Sequence, residues 1–131
     1  MVFYGEYEVS MTAGGRVALP KKIRDSIVDK KIVITKGFGT CLAGYDKSDW
    51  EKRALQLLNV SLLERDQIEK RRKLFSSAVE LETDDQGRIV LPKHLQNFAE
   101  IKETVLVIGV GDHFELWEKR KWEIYLSDIQ E

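Results

Sequence analysis

The feature that most constrains this chain is a segment written twice. Gly15-Arg16-Val17-Ala18-Leu19-Pro20-Lys21 returns as Gly87-Arg88-Ile89-Val90-Leu91-Pro92-Lys93, displaced by 72 positions. The same offset carries Ile23 onto Leu95, Val33-Ile34 onto Val105-Leu106 and Gly37 onto Gly109 without a gap. It continues through Tyr45 onto Trp117 to Trp50-Glu51 onto Trp122-Glu123. Two copies of one supersecondary unit point to a pseudo-twofold assembly, because solenoids usually need at least about three repeats. A length of 131 residues holds both copies within one ordinary domain.

Each copy reads locally as β-turn-β-short helix-β-turn-β-helix. The first strands are Gly5 to Met11 and Val79 to Thr83, each followed by a glycine-containing turn. Arg16 to Leu19 and Arg88 to Leu91 are short, branched and apolar, hence strands. Pro20 and Pro92 hold the preceding leucine extended and suit the first position of a helix. That helix is expected to carry Ile23 and Ile27 in copy one, and Leu95, Phe98 and Ala99 in copy two. Ile32 to Thr35 and Thr104 to Ile108 are the next strands, with Cys41 to Tyr45 and His113 to Trp117 after a glycine turn. Ser48-Asp49-Trp50-Glu51 has capping-box spacing, with Trp50, Ala54, Leu57 and Leu58 on one helical face. Trp122, Tyr125, Leu126 and Ile129 form the matching face in copy two. Ser61 to Ser77 reads as a charged connecting helix whose basic run, Glu69-Lys70-Arg71-Arg72-Lys73, is expected to be a solvated face. The expected division is a first unit with trailing helix over 1–58, a connecting helix over 59–78 and a second unit over 79–131.

Composition excludes more than it assigns. Apolar residues at 43% are ample for a core, and no stretch approaches the ~18–20 apolar residues of a spanning helix. The first ten residues have no basic region of the kind that opens a signal peptide. Cys41 is the only cysteine, which leaves no intrachain disulfide and no cysteine-based zinc site. Neither a nucleophile elbow nor a phosphate-binding glycine loop is present, and His94 and His113 belong to no ligand cluster. No enzyme, cofactor, metal or small-molecule substrate is expected, and the chain is expected in the cytoplasm.

Net charge is only −1, but its distribution is uneven. Met1 to Lys36 holds seven Lys or Arg against four acids, whereas Glu80 to Ile108 holds three against six. Arg16, beside the Gly14-Gly15 turn in the basic copy, is the first candidate for a polyanion contact. Lys21, Lys22 and Arg24 follow at a helix start, where the dipole favours anions. Arg88 has acids beside it and is expected to sit in a structural ion pair. Trp50, Trp117 and Trp122 are spaced with aliphatic neighbours and are expected in core or subunit contacts.

The duplicated Gly-Arg-x-x-Leu-Pro-Lys units, the Thr35-Lys36-Gly37-Phe38 turn, Phe114-Glu115-Leu116-Trp117 and the late tryptophan helix together resemble the MraZ family. The resemblance covers essentially the whole chain. It implies an α+β, mostly β fold in which duplicated AbrB-like (SpoVT-type) ββαββ units form an intrachain pseudo-twofold swapped-hairpin barrel with flanking helices. It also implies a nucleoid-associated transcriptional regulator, usually a repressor, that self-associates into rings. Its partner would be double-stranded DNA carrying short tandem promoter repeats ahead of a division and cell-wall gene cluster. The site residues it implies are Arg16, Lys21, Lys22, Arg24, Gly14 and Gly15. The family's Asp-x-x-x-Arg motif is intact at Asp84 to Arg88, whereas Thr12 stands where copy one should have the aspartate. Without that carboxylate, Arg16 could be freer to meet phosphate or a guanine edge, or less well aimed. The alternative is an antitoxin-like protein-interaction module with little DNA affinity.

Overall fold

The computed structural model describes residues 2–59 and 65–129. Copy one contributes β1 (Glu6–Thr12), β2 (Arg16–Ala18), α1 (Lys21–Arg24), β3 (Lys31–Lys36), β4 (Leu42–Asp46) and α2 (Lys47–Leu58). After α3 (Arg65–Ser77), copy two contributes β5 (Val79–Glu82), β6 (Arg88–Val90), α4 (Lys93–Ala99), β7 (Thr104–Gly109), β8 (Phe114–Glu118) and α5 (Lys119–Ile129). The expected connecting helix is therefore seen from Arg65; its first positions, 61–64 with Leu62 and Leu63, lie outside the described residues.

The strands form one antiparallel sheet in the order β5-β3-β4-β8-β7-β1-β2-β6. The Asp84 amide donates to the Arg88 carbonyl at 3.0 Å, which brings β6 back to β5 and all but closes a barrel. The hairpins are exchanged between copies. β1 of copy one pairs with β7 of copy two, β5 of copy two pairs with β3 of copy one, and β2 pairs with β6. Neither copy can bury its own first strands alone, so the duplication yields a single core. This is an α+β swapped-hairpin barrel of two duplicated units, with helices flanking it.

The core repeats about the same pseudo-axis. Val17, Leu19 and Ile23 are buried with their counterparts Ile89, Leu91 and Leu95. Ile32 and Ile34 are matched by Val105 and Val107, a displacement of 73 positions rather than 72. Strand pairing gives the same answer. Val79 pairs with Ile34, and its counterpart Tyr7 pairs with Val107. The gapless register expected from sequence is thus corrected by one residue in this strand. Side chains alternate between faces along a strand, so a strict 72-residue register would turn the buried row outward. The loops absorb the slip: five residues separate β3 from β4, and four separate β7 from β8.

Three local expectations are also corrected. Helix α1 is a single turn, so Ile27 lies beyond it, although its side chain still packs on the core. Left-handed Asp29 (φ 56°) and Lys30 (φ 58°) turn the chain into β3 instead. Helix α2 begins at Lys47, which places Ser48 inside the helix instead of at its cap. Asp46 takes the cap position without a capping bond to the helix, because its buried carboxylate accepts the Val28 amide at 2.7 Å and the Ser48 hydroxyl. Leu58, placed on the apolar face by its spacing, is exposed.

Candidate nucleic-acid interface

Strands β2 and β6 make a short ribbon on one wall of the barrel. Burial alternates along each strand, with Val17 and Ile89 inward and Arg16, Ala18, Arg88 and Val90 outward. Arg16 pairs with Val90 and Ala18 with Arg88, so the two arginines are diagonal neighbours on the exposed face. Diagonal partners lie ~7–8 Å apart. Each guanidinium therefore stands at one end of a ribbon whose two-stranded form suits a DNA major groove ~12 Å wide.

The turns that aim these arginines differ in chemistry. In copy two, one Asp84 carboxylate oxygen accepts the Gln86 amide at 2.9 Å and the Arg88 amide at 2.8 Å. The other accepts the Arg88 guanidinium Nε at 2.7 Å. The Arg88 amide, followed by its guanidinium, holds the Asp84 carboxyl below its ordinary value. Asp85 is separately tied to Lys30 at 2.8 Å. In copy one, the Gly15 amide donates to the Thr12 carbonyl at 3.1 Å, and the Thr12 hydroxyl only reaches the Arg16 carbonyl at 3.5 Å. The Arg16 side chain is exposed, with no ion-pair or hydrogen-bond partner among the described residues. Gly14 (φ 86°) and Gly15 (φ 80°) supply the left-handed backbone this turn needs.

Hairpin exchange decides which cations meet. The Leu91 amide donates to the Gly15 carbonyl at 2.9 Å, and the Leu19 amide donates to the Gly87 carbonyl at 3.0 Å. The Gly15 turn consequently rests on α4, where a Cβ at Gly15 would meet the Gln96 amide nitrogen at 2.3 Å. The Gly87 turn rests on α1, where a Cβ would meet Arg24 Cδ. Lys21, Lys22 and Arg24 thus belong to the Arg88 end of the ribbon, although their own copy supplies Arg16. Beside Arg16 stand Lys93 and His94, both exposed at the start of α4. Sequence reasoning passed over these two, although Lys93 is the counterpart of Lys21 in the repeated segment.

The remaining candidates are placed as follows. Lys21 is exposed and pairs with Asp25 at 3.2 Å, and the Lys22 ammonium lies 5.5 Å from the Tyr4 ring centre. Arg24 is half-buried beneath the Gly87 turn, and its Nε is buried with no hydrogen-bond partner. Helix α1 has too few residues to build a substantial macrodipole, so the dipole argument for Lys21 and Lys22 loses its force. The tryptophans lie away from the ribbon. Trp50 packs on Tyr45 and Phe75, and Trp117, Trp122 and Tyr125 form one cluster between β8 and α5. Among the described residues no group of three or more His, Cys, Asp or Glu is arranged to hold a metal ion. No described helix is long and apolar enough to cross a membrane.

The molecule is thus a duplicated swapped-hairpin barrel that presents an arginine-ended ribbon on one wall. The chain belongs to the MraZ family: the family described as "MraZ protein, putative antitoxin-like" matches residues 2–73 and again 74–131. The chain is 38% identical over 126 residues to the transcriptional regulator MraZ of a Roseiflexus species, covering 96% of this chain and 87% of the relative. It is 38% identical over 127 residues to that of Acetivibrio thermocellus, covering 97% and 88%. With that of Ligilactobacillus salivarius it shares 35% identity over 130 residues, covering 99% and 90%.

Proposed function

We propose that this chain is a transcriptional regulator that reads double-stranded DNA with the β2–β6 ribbon. The observation that carries the proposal is the pair of outward, diagonally placed arginines in opposite states. Among the described residues Arg16 has no partner to give up, whereas Arg88 is held by Asp84 at 2.7 Å. A guanidinium fork suits guanine edges and phosphates alike, so Arg16 is the reading side chain and Arg88 mainly sets its own turn. Gly14, exposed with open space around it, lets the backbone approach the duplex, whereas Gly15 is buried against Leu91 and Gln96 and shapes the turn from beneath. Lys93, Lys21 and Lys22 supply flanking phosphate contacts from opposite ends of the ribbon. Family membership supports the regulatory role, since the curated relatives are named transcriptional regulators.

One subunit offers only a handful of its cations on the ribbon face, so its isolated affinity is weak. A ring of copies turns every contact after the first into an intramolecular one. Tandem promoter repeats about one helical turn (~10 bp) apart are then read together, and binding there represses a division and cell-wall gene cluster. A net charge of −1 is compatible with this, because only the local face has to be basic.

The test is an anisotropy titration of tandem-repeat and scrambled duplexes across a salt series. Preference for the repeats, with log K falling steeply in log salt, is the expected result. Equal weak binding to both duplexes contradicts sequence reading. No binding by a folded oligomer favours the protein-interaction module instead.

A further inference from the structure

The barrel wall opposite the ribbon carries a cleft of about 450 Å³ that the DNA reading does not use. The turn between β3 and β4 forms one side and α3 the other, with Leu57, Leu74 and Tyr45 among its apolar lining. Three lysines also line it: Lys36, Lys70 and Lys73. None of the three forms a salt bridge among the described residues, although five other lysines do. Lys36 and Lys73 share one ring instead, their ammoniums 4.9 and 5.3 Å from the Phe98 centre. Lys73 also donates to the Gly39 carbonyl at 3.3 Å.

The one carboxylate lining the cleft among the described residues is already occupied. Glu115 accepts the Trp117 indole N–H at 2.9 Å and faces His113 Nε2 at 3.5 Å. At the mouth, Phe38 is 91% exposed on the glycine-flanked turn, an aromatic side chain with nothing to cover it.

The pseudo-axis supplies a control inside the same molecule. The related cleft on the copy-two side shares Phe38, Gly39 and Glu115 with it and is otherwise lined by residues such as Trp117, Trp122, Ile124 and Val110. Its one cation, Lys121, is paired with Glu100 at 3.3 Å. The lysines are therefore no consequence of the fold. They come from Lys36, whose counterpart in the corrected register is Gly109, and from α3, which has no counterpart among the described residues of copy two. Holding three like charges around an apolar floor is unfavourable until an anion arrives. An anion with an apolar body would satisfy both halves of the site.

We infer that the cleft between α3 and the β3–β4 turn binds a small aromatic carboxylate. The carboxylate is held by Lys36, Lys70 and Lys73, and the ring lies on Leu57 and Leu74 under Phe38. This inference does not depend on the DNA reading, and its test involves no nucleic acid.

The full chain, labelled with nitrogen-15, is titrated with 1-naphthoate and separately with the neutral 1-naphthalenemethanol while amide shifts are recorded. Expected are saturable shifts centred on Lys36–Gly39, Leu57, Lys70, Lys73–Leu74 and His113, with the carboxylate bound at least tenfold more tightly than the alcohol. Lys36→Gln combined with Lys73→Gln is expected to weaken naphthoate binding by about tenfold or more. Lys70→Gln, exposed on α3, gives the same readout if the double variant fails to fold. Equal affinity for the alcohol, shifts centred on Trp117 and Trp122, unchanged affinity in the variants, or no saturation would each overturn the assignment.

Discussion

Replacing Gly15 with alanine loads two costs onto one turn, whereas Gly14→Ala loads only one of them. Both positions have left-handed backbone, at φ 80° and 86°. An L side chain there costs about 1–2 kcal/mol. At Gly14 nothing lies within 4 Å of the added Cβ, so the backbone cost is the whole effect. At Gly15 the Cβ would meet the Leu91 carbonyl oxygen at 2.9 Å and the Gln96 amide nitrogen at 2.3 Å. Gln96 would have to withdraw, losing its 2.8 Å hydrogen bond to that same carbonyl. The lost bond adds about 0.5–1.5 kcal/mol, and crowding against backbone adds about 1–3 kcal/mol. Gly15→Ala is thus expected to cost about 2.5–6.5 kcal/mol against about 1–2 for Gly14→Ala. For a chain of this size each kcal/mol moves the melting temperature by about 3–5 °C. Thermal melts at one fixed protomer concentration make the comparison, because association would otherwise shift the midpoint. Equal losses at the two positions would refute the tight packing of this turn on α4.

Other outcomes follow from single groups. Asp84 is held below its ordinary carboxyl value by the Arg88 amide and guanidinium, so its stabilising effect is complete above the unfolded value, near 3.8. It is lost as pH falls through the folded value. Hydrogen exchange at Gln86 and Arg88 should lose protection on that descent, and unchanged protection would contradict the role of the carboxylate. Burial, with the Glu115 charge second, pushes the Cys41 thiol up to about 12, so a thiol reagent at pH 8 is expected to label only unfolded protein. Stoichiometric labelling of native protein would contradict this. Phe114 fills the space beside Gly44, where a Cβ would meet its ring at 2.3 Å, and Phe114→Ala is expected to lose about 3–5 kcal/mol on denaturant unfolding. A loss below about 1 kcal/mol would place the ring outside the core. Thr12→Asp rebuilds the copy-two turn around Arg16 and is expected to weaken DNA binding by tying that guanidinium down; unchanged or tighter binding would mean that Arg16 needs aiming more than freedom.

The strands were legible because the repeated segment couples a turn, a branched apolar run and a proline that stops it. The exchange of hairpins was legible only through the family, since nothing in residues 15–21 says that Gly15 will rest on Gln96 of the other copy. That exchange reorders the site. Arg16 looked like part of one cluster with Lys21, Lys22 and Arg24, but it stands beside Lys93 and His94. The one-residue slip at β3 and β7 was hidden because Val33-Ile34 and Val105-Leu106 look alike at either register. Strand pairing decided it, with Ile34 against Val79 and Val107 against Tyr7. Ser48 looked like a helix cap because the box pattern tests spacing alone, whereas the cap position falls two residues earlier on the buried Asp46, whose carboxylate accepts the Ser48 hydroxyl. The lysine-lined cleft combines Lys36 with Lys70 and Lys73, which are remote in sequence and meet only because α3 packs back onto the barrel.

The most direct test of the ribbon as a reading surface compares Arg16→Ala with Arg88→Ala on tandem-repeat DNA at one salt concentration, with circular dichroism confirming that both variants are folded. The account expects Arg16→Ala to lose about tenfold or more in affinity and most of the preference over scrambled duplex. Arg88→Ala should lose much less, because its guanidinium is engaged with Asp84. Equal losses, or a greater loss at Arg88, would contradict it.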